Sequence, residues 1–415
     1  MIYKTLNKLN KIKTFPYYFL TPLVYAIGNK CEQLIVFSLL AKLNNKKLII
    51  LQPNILKKFL KYHIANQSLP KDLIINGEKQ NKNNISIIIL NYIFNLEFIL
   101  RRFFTVYINR FFKIKLSETF RFPYIGAVHS NYEKILKSKF EDLDIKLSND
   151  KKIYCENILR KAGIDDNEKI ICLHVRDGAY RKDESRKSYR NSNINNYTEL
   201  VKYLINEKYT VFRMGSKNSE NSNHKDKRFI NYPTTDLRSD LMDVYLISRC
   251  DFFIATQSGL LETAYMFNKP MLITNMVELY CSYPRKKNDR GIFKKIIDKK
   301  IQKEISISDY AKMPYGYHDP WNEQHDLSFV ENTPEEIYNS GKEFVDLIRN
   351  KNFELNQSQK NLNNFLKKRM KEMEERKELE GKDFFEYTQL KRLHMWNMKS
   401  EGSLTKSYLK NIKIN

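Results

Sequence analysis

An α/β fold built on a parallel sheet is predicted by three features of this chain. From Lys169 onward, short apolar runs alternate with segments of helical period. Several of those runs end in polar loops that carry glycine, as in "CLHVRDGAYR" (Cys172–Arg181). Residues 16–52 also read as strand, helix, strand. Strands that alternate with helices are βαβ units, whose strands pair in parallel.

The elements follow in order. "YYFLTPLVY" (Tyr17–Tyr25) is an apolar strand, "AIGNK" supplies a turn at Gly28, "CEQLIVFSLLAKL" (Cys31–Leu43) has helical spacing, and "LIIL" (Leu48–Leu51) is a short buried strand. Glycine serves such a turn by its shape alone. "FILRRFFTVYINRFFKIK" (Phe98–Lys115) alternates aromatic and basic residues as an amphipathic helix would. Two readings stand for it: a core-facing helix with a solvated basic face, or a helix lying in a membrane interface. Strands are then expected at "KIICLHV" (Lys169–Val175), "YTVFRMGS" (Tyr209–Ser216), "DFFIAT" (Asp251–Thr256) and "PMLIT" (Pro270–Thr274). The helices between them are "NYTELVKYLINEK", "DLRSDLMDVYLISRC" and "SGLLETAYMFN". "ENTPEEI" starts another helix, with Thr333 as N-cap, Pro334 in the first turn and Glu336 at the capping-box position. Beyond about residue 350 the chain turns highly charged, which predicts a long solvated helix packed back over the body or frayed.

The 415 residues are enough for two domains, or for one large domain with an appendage. Apolar residues at 42% fit a globular chain, and the formal charge of +24 admits nucleic acid, an anionic membrane or a phosphorylated substrate as partner. Lysine and asparagine are spread throughout, however, as at Asn81–Ile85, so only local basic clusters count. Five scattered cysteines, odd in number and without a C-x-x-C pair, argue against a disulfide framework or zinc site and for a reducing cytosol. The basic N-terminus lacks the apolar region of a signal peptide. The uncharged stretch Asn83–Leu96 is too short to span a bilayer and holds four asparagines. The expected location is cytoplasmic, at most peripheral on a membrane face.

Chemistry is expected at the strand ends. In "ATQSGLLETA" (Ala255–Ala264) a strand runs through Thr256, Gln257, Ser258 and Gly259 into a helix. This is either an anion site, with glycine admitting a phosphate to the helix N-terminus, or an ordinary turn capped by Ser258. Glu262, one turn further on, is placed to accept ribose hydroxyls. Gly215 and Ser216 end the preceding strand, and Arg190 and Asn191 of "YRNSNI" can reach the same rim as Arg176. Together these residues specify a diphosphate site. His174 has either a catalytic or a structural role. There is no P-loop, no G-x-G-x-x-G after a strand, and no D-x-D at a strand end to hold a metal with its nucleotide. "HVRD" lacks the glycine-rich loop and D-F-G that a kinase needs.

"HVRDG" (His174–Gly178) resembles the H-x-R strand-end motif of fucosyltransferase-like enzymes, and "AIGNKCEQLIVFSLLAKLNNKKLIIL" (Ala26–Leu51) resembles their glycine–asparagine opening. More closely, "LHVRDGAY…YRNSNINNYTELVKYLI…YTVFRMG…LRSDLMDVYL…FFIATQSGL", over about residues 170–340, resembles a family of bacterial glycosyltransferases from surface-polysaccharide gene clusters. The resemblance implies a GT-B fold, in which two Rossmann-like domains face each other across a cleft. Residues 1–148 would form the acceptor-side domain, with Gly28 and Asn29 at the acceptor, residues 149–348 the nucleotide-sugar domain, and residues 349–415 a charged helical extension. It also implies that Arg176 holds the donor diphosphate and that Ser258 and Gly259 form the phosphate-side turn. The fucosyltransferase pattern continues H-x-R-x-x-D, whereas Ala179 stands at the last position here and Asp177 comes two residues earlier. GDP-fucose is therefore not implied.

The expected activity is metal-independent, inverting transfer of a sugar to a growing surface polysaccharide or lipid-linked glycan, with no cofactor. Arg176, Asp177 and His174 are the catalytic candidates, and Asp183 is the alternative base. A GT-B-like nucleotide-sugar epimerase and a basic nucleic-acid-binding protein are the rival readings. No recognisable nucleic-acid motif supports the latter.

Overall fold

The computed structural model describes residues 2–20, 26–51, 65–66, 68–79, 85–113, 132–135, 138–178, 189–217, 222, 224–279, 283–318, 326–375 and 400–412. Helix α1 (Ile2–Lys11) leads into β1 (Tyr17–Leu20), α2 (Ile27–Leu43) and β2 (Lys47–Ile50), and β1 and β2 pair in parallel. This is the strand–helix–strand opening that the sequence predicts. Next come β3 (Leu73–Ile75), β4 (Glu78–Lys79) and the long α3 (Ile85–Phe112), followed by β5 (Ile145–Leu147) and α4 (Asn149–Lys161). Strands β4, β3 and β5 form a small antiparallel sheet. Among the described residues, the first 148 thus show one parallel pair rather than the full second Rossmann-like sheet that the resemblance implies.

The main sheet begins at β6 (Lys169–His174). Its further elements are α5 (Thr198–Asn206), β7 (Tyr209–Met214), β8 (Phe229–Ile230), α6 (Asp240–Arg249), β9 (Phe252–Thr256), α7 (Leu260–Met266), β10 (Met271–Met276) and β11 (Arg290–Phe293). A three-stranded antiparallel sheet of β12 (Lys295–Asp298), β13 (Lys303–Ile305) and β14 (Leu327–Val330) follows, with α8 (Ile307–Lys312) between its last two strands. Helices α9 (Pro334–Asn350) and α10 (Gln357–Glu375), strand β15 (Ser403–Leu404) and helix α11 (Lys406–Leu409) complete the chain. The main sheet has seven parallel strands in the order β15-β11-β10-β9-β6-β7-β8. From β8 to β11 this is the doubly wound order, which reverses direction between β6 and β9.

Local chemistry accounts for the helix ends. Ser239 caps α6 by accepting from the Met242 N–H at 3.1 Å. Thr333 and Glu336 form the expected capping box on α9, with reciprocal bonds of 3.1 and 2.9 Å. The charged tail is not a mere appendage. Helix α10 buries Leu362, Leu366 and Met370, and β15 then extends the main sheet by pairing with β11.

Helix α2 is not amphipathic: thirteen of its seventeen residues are buried. One hydrophobic core runs from Leu34 and Val36 of α2 to Ile254 and Leu272 of the main sheet. Polar groups inside α2 have partners. Lys30 donates to the carbonyls of Ala65 and Asn66 at 3.2 and 2.9 Å, and Cys31 Sγ lies 3.3 Å from Thr263 Oγ1 of α7. At the helix start, Gly28 meets Gly259 backbone to backbone. A Cβ on Gly28 would lie 2.8 Å from Gly259 Cα, and one on Gly259 would lie 3.0 Å from Gly28 N.

Helix α3 overturns the core-facing reading of its basic–aromatic half. Phe94 and Asn95 are buried, but Leu100, Phe103, Phe104, Tyr107, Phe111 and Phe112 are all exposed.

The glycine contact yields a prediction whose sign is diagnostic. In an unobstructed helix interior, Gly→Ala stabilises by about 1 kcal/mol. Gly28→Ala should instead destabilise the protein by ~1–3 kcal/mol, because the added methyl strikes backbone. Chemical denaturation measures it, and a stabilised variant would remove the close packing of α2 on α7.

Candidate functional site at the strand switch

Open parallel sheets bind ligands in the crevice outside the carboxyl ends of their strands, at the point where the order reverses. Here that point lies between β6 and β9, so Val175–Gly178 and Gln257–Gly259 border it. Arg176 is fixed there by both of its backbone groups. Its N–H donates to Thr256 Oγ1 at 2.8 Å, and its carbonyl accepts from the Ser192 N–H at 2.8 Å. Its guanidinium donates to the side-chain oxygen of Asn191. Gly178 fits beside that amide for two reasons: its φ is +76°, and a Cβ there would come within 2.7 Å of Asn191 Nδ2.

Asn191 also joins Arg176 to a cation that the sequence reading missed. Lys294, following β11, donates to the Asn191 carbonyl at 2.6 Å and is 3% exposed. Burial, chiefly, and repulsion from Arg176 lower its pKa to about 8, against the pull of Glu331. Arg190 lies 3.6 Å from Glu278, which also accepts from the Tyr189 hydroxyl at 2.9 Å. Gln257 ties the ends of β9 and β10 together by accepting from the N–H groups of Val277 and Glu278 at 3.5 and 3.3 Å. The structure therefore joins Arg176 and Lys294 through Asn191, while the Arg190 side chain lies against Glu278. Lys294 and Glu278 follow strands β11 and β10, the first of which was not recognised in the sequence.

Other expected residues have different work. Asp177 lies 3.7 Å from Arg213, whose side chain is 1% exposed and also donates to Asn231 Oδ1 at 3.2 Å. Its charge balances that of the buried cation. His174 Nδ1 lies 3.2 Å from the Met214 carbonyl, which can only accept, so Nδ1 carries the proton. Desolvation pushes this imidazole down to about 4, which leaves it neutral near pH 7. Its bond joins the ends of β6 and β7. Asp183, the alternative base, lies outside the described residues.

Glu262 corrects a further expectation. Rather than facing a ribose, it is buried in a two-point pair with Arg285, both contacts being 2.9 Å, and that guanidinium stacks over the Tyr265 ring. Ser258 does not cap α7; the N-cap is Gly259, and the Ser258 hydroxyl is buried without a hydrogen-bond partner. The missing Cβ of Gly259 accommodates Gly28 of α2. Asn29 is half-buried in the first turn of α2, and Gly215 and Ser216 are half-buried at the end of β7. The single D-x-D of the chain, Asp142–Asp144, precedes β5. Asp142 accepts from the Lys139 N–H at 2.6 Å and Asp144 pairs with Lys146 at 2.8 Å. The four described cysteines are buried thiols.

No known family profile matches the sequence, and no curated protein matches it. Two solved structures are similar. One is described as a glycosyl transferase of family 9 from Veillonella parvula, with 11% identity over 81% of this chain and 99% of that one, at a TM-score of 0.44. The other is an E. coli ADP-heptose LPS heptosyltransferase II, with 14% identity over 80% and 98% and a TM-score of 0.39. At such low identity and TM-score, neither residue roles nor a reaction carry over from them.

The pairing of Asp177 can be separated from a catalytic role. Removing one partner of a buried ion pair costs about 3–5 kcal/mol. Asp177→Ala should therefore unfold at lower denaturant concentration, with a loss of that order. Unchanged stability combined with lost turnover would restore Asp177 as a base.

Proposed function

We propose that the crevice between β6 and β9 binds the diphosphate of a nucleotide sugar, and that the protein is a GT-B-like glycosyltransferase. In this reading it moves the sugar, with inversion and without a metal, to a growing surface polysaccharide or lipid-linked glycan. The acceptor side would come from residues 1–148 and the donor side from residues 149–348. One observation carries the reading: Arg176, held at the strand switch by both backbone groups, and the buried Lys294 donate to the same residue, Asn191, one to its side-chain oxygen and the other to its carbonyl. Two like charges held close together destabilise each other, and an anion bound between them offsets that cost. A diphosphate has the required charge.

The chemistry follows from the leaving group. As the bond to the sugar breaks, negative charge develops on the β-phosphate, where preorganised cations act on the transition state more than on the ground state. Arg176 offers a planar fork of donors, which a lysine cannot reproduce. Lys294 adds a point charge beside it, and Arg190 supplies a third cation near the rim. The two carboxylates of the cluster, Glu278 and Glu331, hold Arg190 and the Asn193–Asn196 turn in place. Two carboxylates are candidates to take the acceptor's proton: Asp177, which lies beside Arg213, and Asp183, which lies outside the described residues.

Arg176→Lys should keep its melting temperature and lose about a hundredfold in donor turnover, since one such donor is worth ~3 kcal/mol. A fully active Arg176→Lys protein would remove the diphosphate role. Turnover is measured with excess chelator present, and loss of activity restored by Mg²⁺ or Mn²⁺ would overturn metal independence. Conversion of the donor to an isomer with no transfer would favour the epimerase.

Affinity for a nucleoside diphosphate should also depend on pH. Lys294 carries its charge below its depressed pKa of about 8 and loses it above, so binding should weaken as pH rises through that region. Calorimetric titration across the range checks this, and in Lys294→Met that step should vanish. A wild-type profile that is flat there would exclude Lys294 from the anion site.

A further inference from the structure

Helix α3 leaves an unusual surface open. Ile85, Ile88, Ile89, Tyr92, Ile93, Leu96, Leu100, Phe103, Phe104, Tyr107 and Phe111 are each at least 42% exposed. Their spacing of three and four residues places them along one side of the helix for nearly its whole length. Phe94 and Asn95, on other sides, are buried, and α1 packs against the helix. At a rise of about 1.5 Å per residue the 28 residues extend about 42 Å. A soluble monomer rarely exposes an apolar strip of this size without a partner.

The charge around the strip identifies the partner's chemistry. No acidic residue precedes Glu32, and between Lys79 and Ser117 Glu97 is the sole acid. That carboxylate is paired with Arg101 at 2.7 Å. The basic residues are more numerous: Lys8, Lys11 and Lys13 are exposed on α1 and just after it, and Arg110 and Lys113 are exposed at the far end of α3. A second copy would bring the same cations to the same seam and repel them. An anionic surface attracts every one. Among the described residues no helix is long and apolar enough to cross a membrane, and α3 has Asn91, Asn95 and the Glu97–Arg101 pair on its other sides. Such a helix lies on a bilayer and does not span it.

We propose that α3 is an interfacial helix that seats the protein on an anionic lipid surface. Its axis lies in the membrane plane, its apolar side enters the headgroup–acyl boundary, and the lysines near α1 face the phosphates. The segment involved is Ile85–Lys113, longer than the basic–aromatic half that the sequence singles out. This inference stands apart from the transferase reading, because its readout is binding alone.

Co-sedimentation of the full chain with vesicles tests it, using phosphatidylcholine alone and phosphatidylcholine mixed with phosphatidylglycerol. The protein should favour the anionic vesicles and be released by added salt. Phe103→Glu combined with Tyr107→Glu should abolish binding while the circular dichroism and melting temperature stay those of the wild type. Lys11→Glu and Lys13→Glu, both at exposed positions, should each lower partitioning by about fivefold or more. Equal binding to both vesicle types, or binding that neither set of variants changes, would overturn the proposal. So would a protein that ignores vesicles, whether the α3 variant converts a dimer to a monomer, which would assign the strip to a second copy, or leaves a monomer unchanged.

Discussion

The contact between Gly28 and Gly259 fixes how the two ends of this fold meet. Each glycine stands in the first turn or at the cap of its helix, and neither leaves room for a methyl group on the other. Because the backbones touch, α2 sinks into the core and nearly its whole circumference is covered. That depth explains why its polar groups need internal partners, Lys30 on two carbonyls and Cys31 on Thr263. In the body of α7, Glu262 and Tyr265 hold Arg285, from the segment between β10 and β11, in a stacked ion pair. Both oxygens of this buried carboxylate are engaged by one guanidinium.

Seating α2 at this place also shifts the chemistry. The turn after β9 is occupied on one side by α2, so the crevice takes its character from β6 and from the loop that carries Asn191. Asn191 holds the Arg176 guanidinium with its side chain and Lys294 with its carbonyl. A neutral amide can serve two cations without neutralising either. Burial is the main reason that the Lys294 pKa falls, with repulsion from Arg176 a smaller contribution set against the pull of Glu331.

Much of this was legible in the sequence, and the exceptions have physical reasons. The strands β6, β7, β9 and β10 are continuous apolar runs bounded by turn residues, so period and length identify them. The cap at Thr333 is side-chain chemistry and can be read directly, whereas Ser239 lies inside a run of helical pattern and shows as a cap only in the structure. Strands β11 to β15 are two to four residues long, which leaves no periodic signal to find. Gly28 and Gly259 advertise a special backbone position, but a glycine gives no sign of whether a ligand or another helix fills the space. Asp177 and Arg213 lie 36 positions apart in the chain and meet through the parallel register that sets His174 beside Met214. Pairing of that kind requires the sheet.

The formal charge of +24 is ambiguous as a total and informative once sorted by place. Some cations are buried and tied to backbone carbonyls: Arg290 reaches those of Lys287, Asp289 and Phe353, and Lys46 those of Asn10 and Ile12. Burying a cation is costly unless its hydrogen bonds are satisfied, so these positions hold the fold together and do not reflect a general excess of lysine. A second group, Arg176 and Lys294, meets at Asn191 beside the strand switch. A third is exposed beside the apolar side of α3, in segments nearly free of acid. Nucleic-acid binding through phosphate contacts calls for a basic stripe open to solvent. At the strand switch the cations are half-buried or buried, and near α3 they border apolar surface. The first arrangement suits a small anion, the second a lipid headgroup layer.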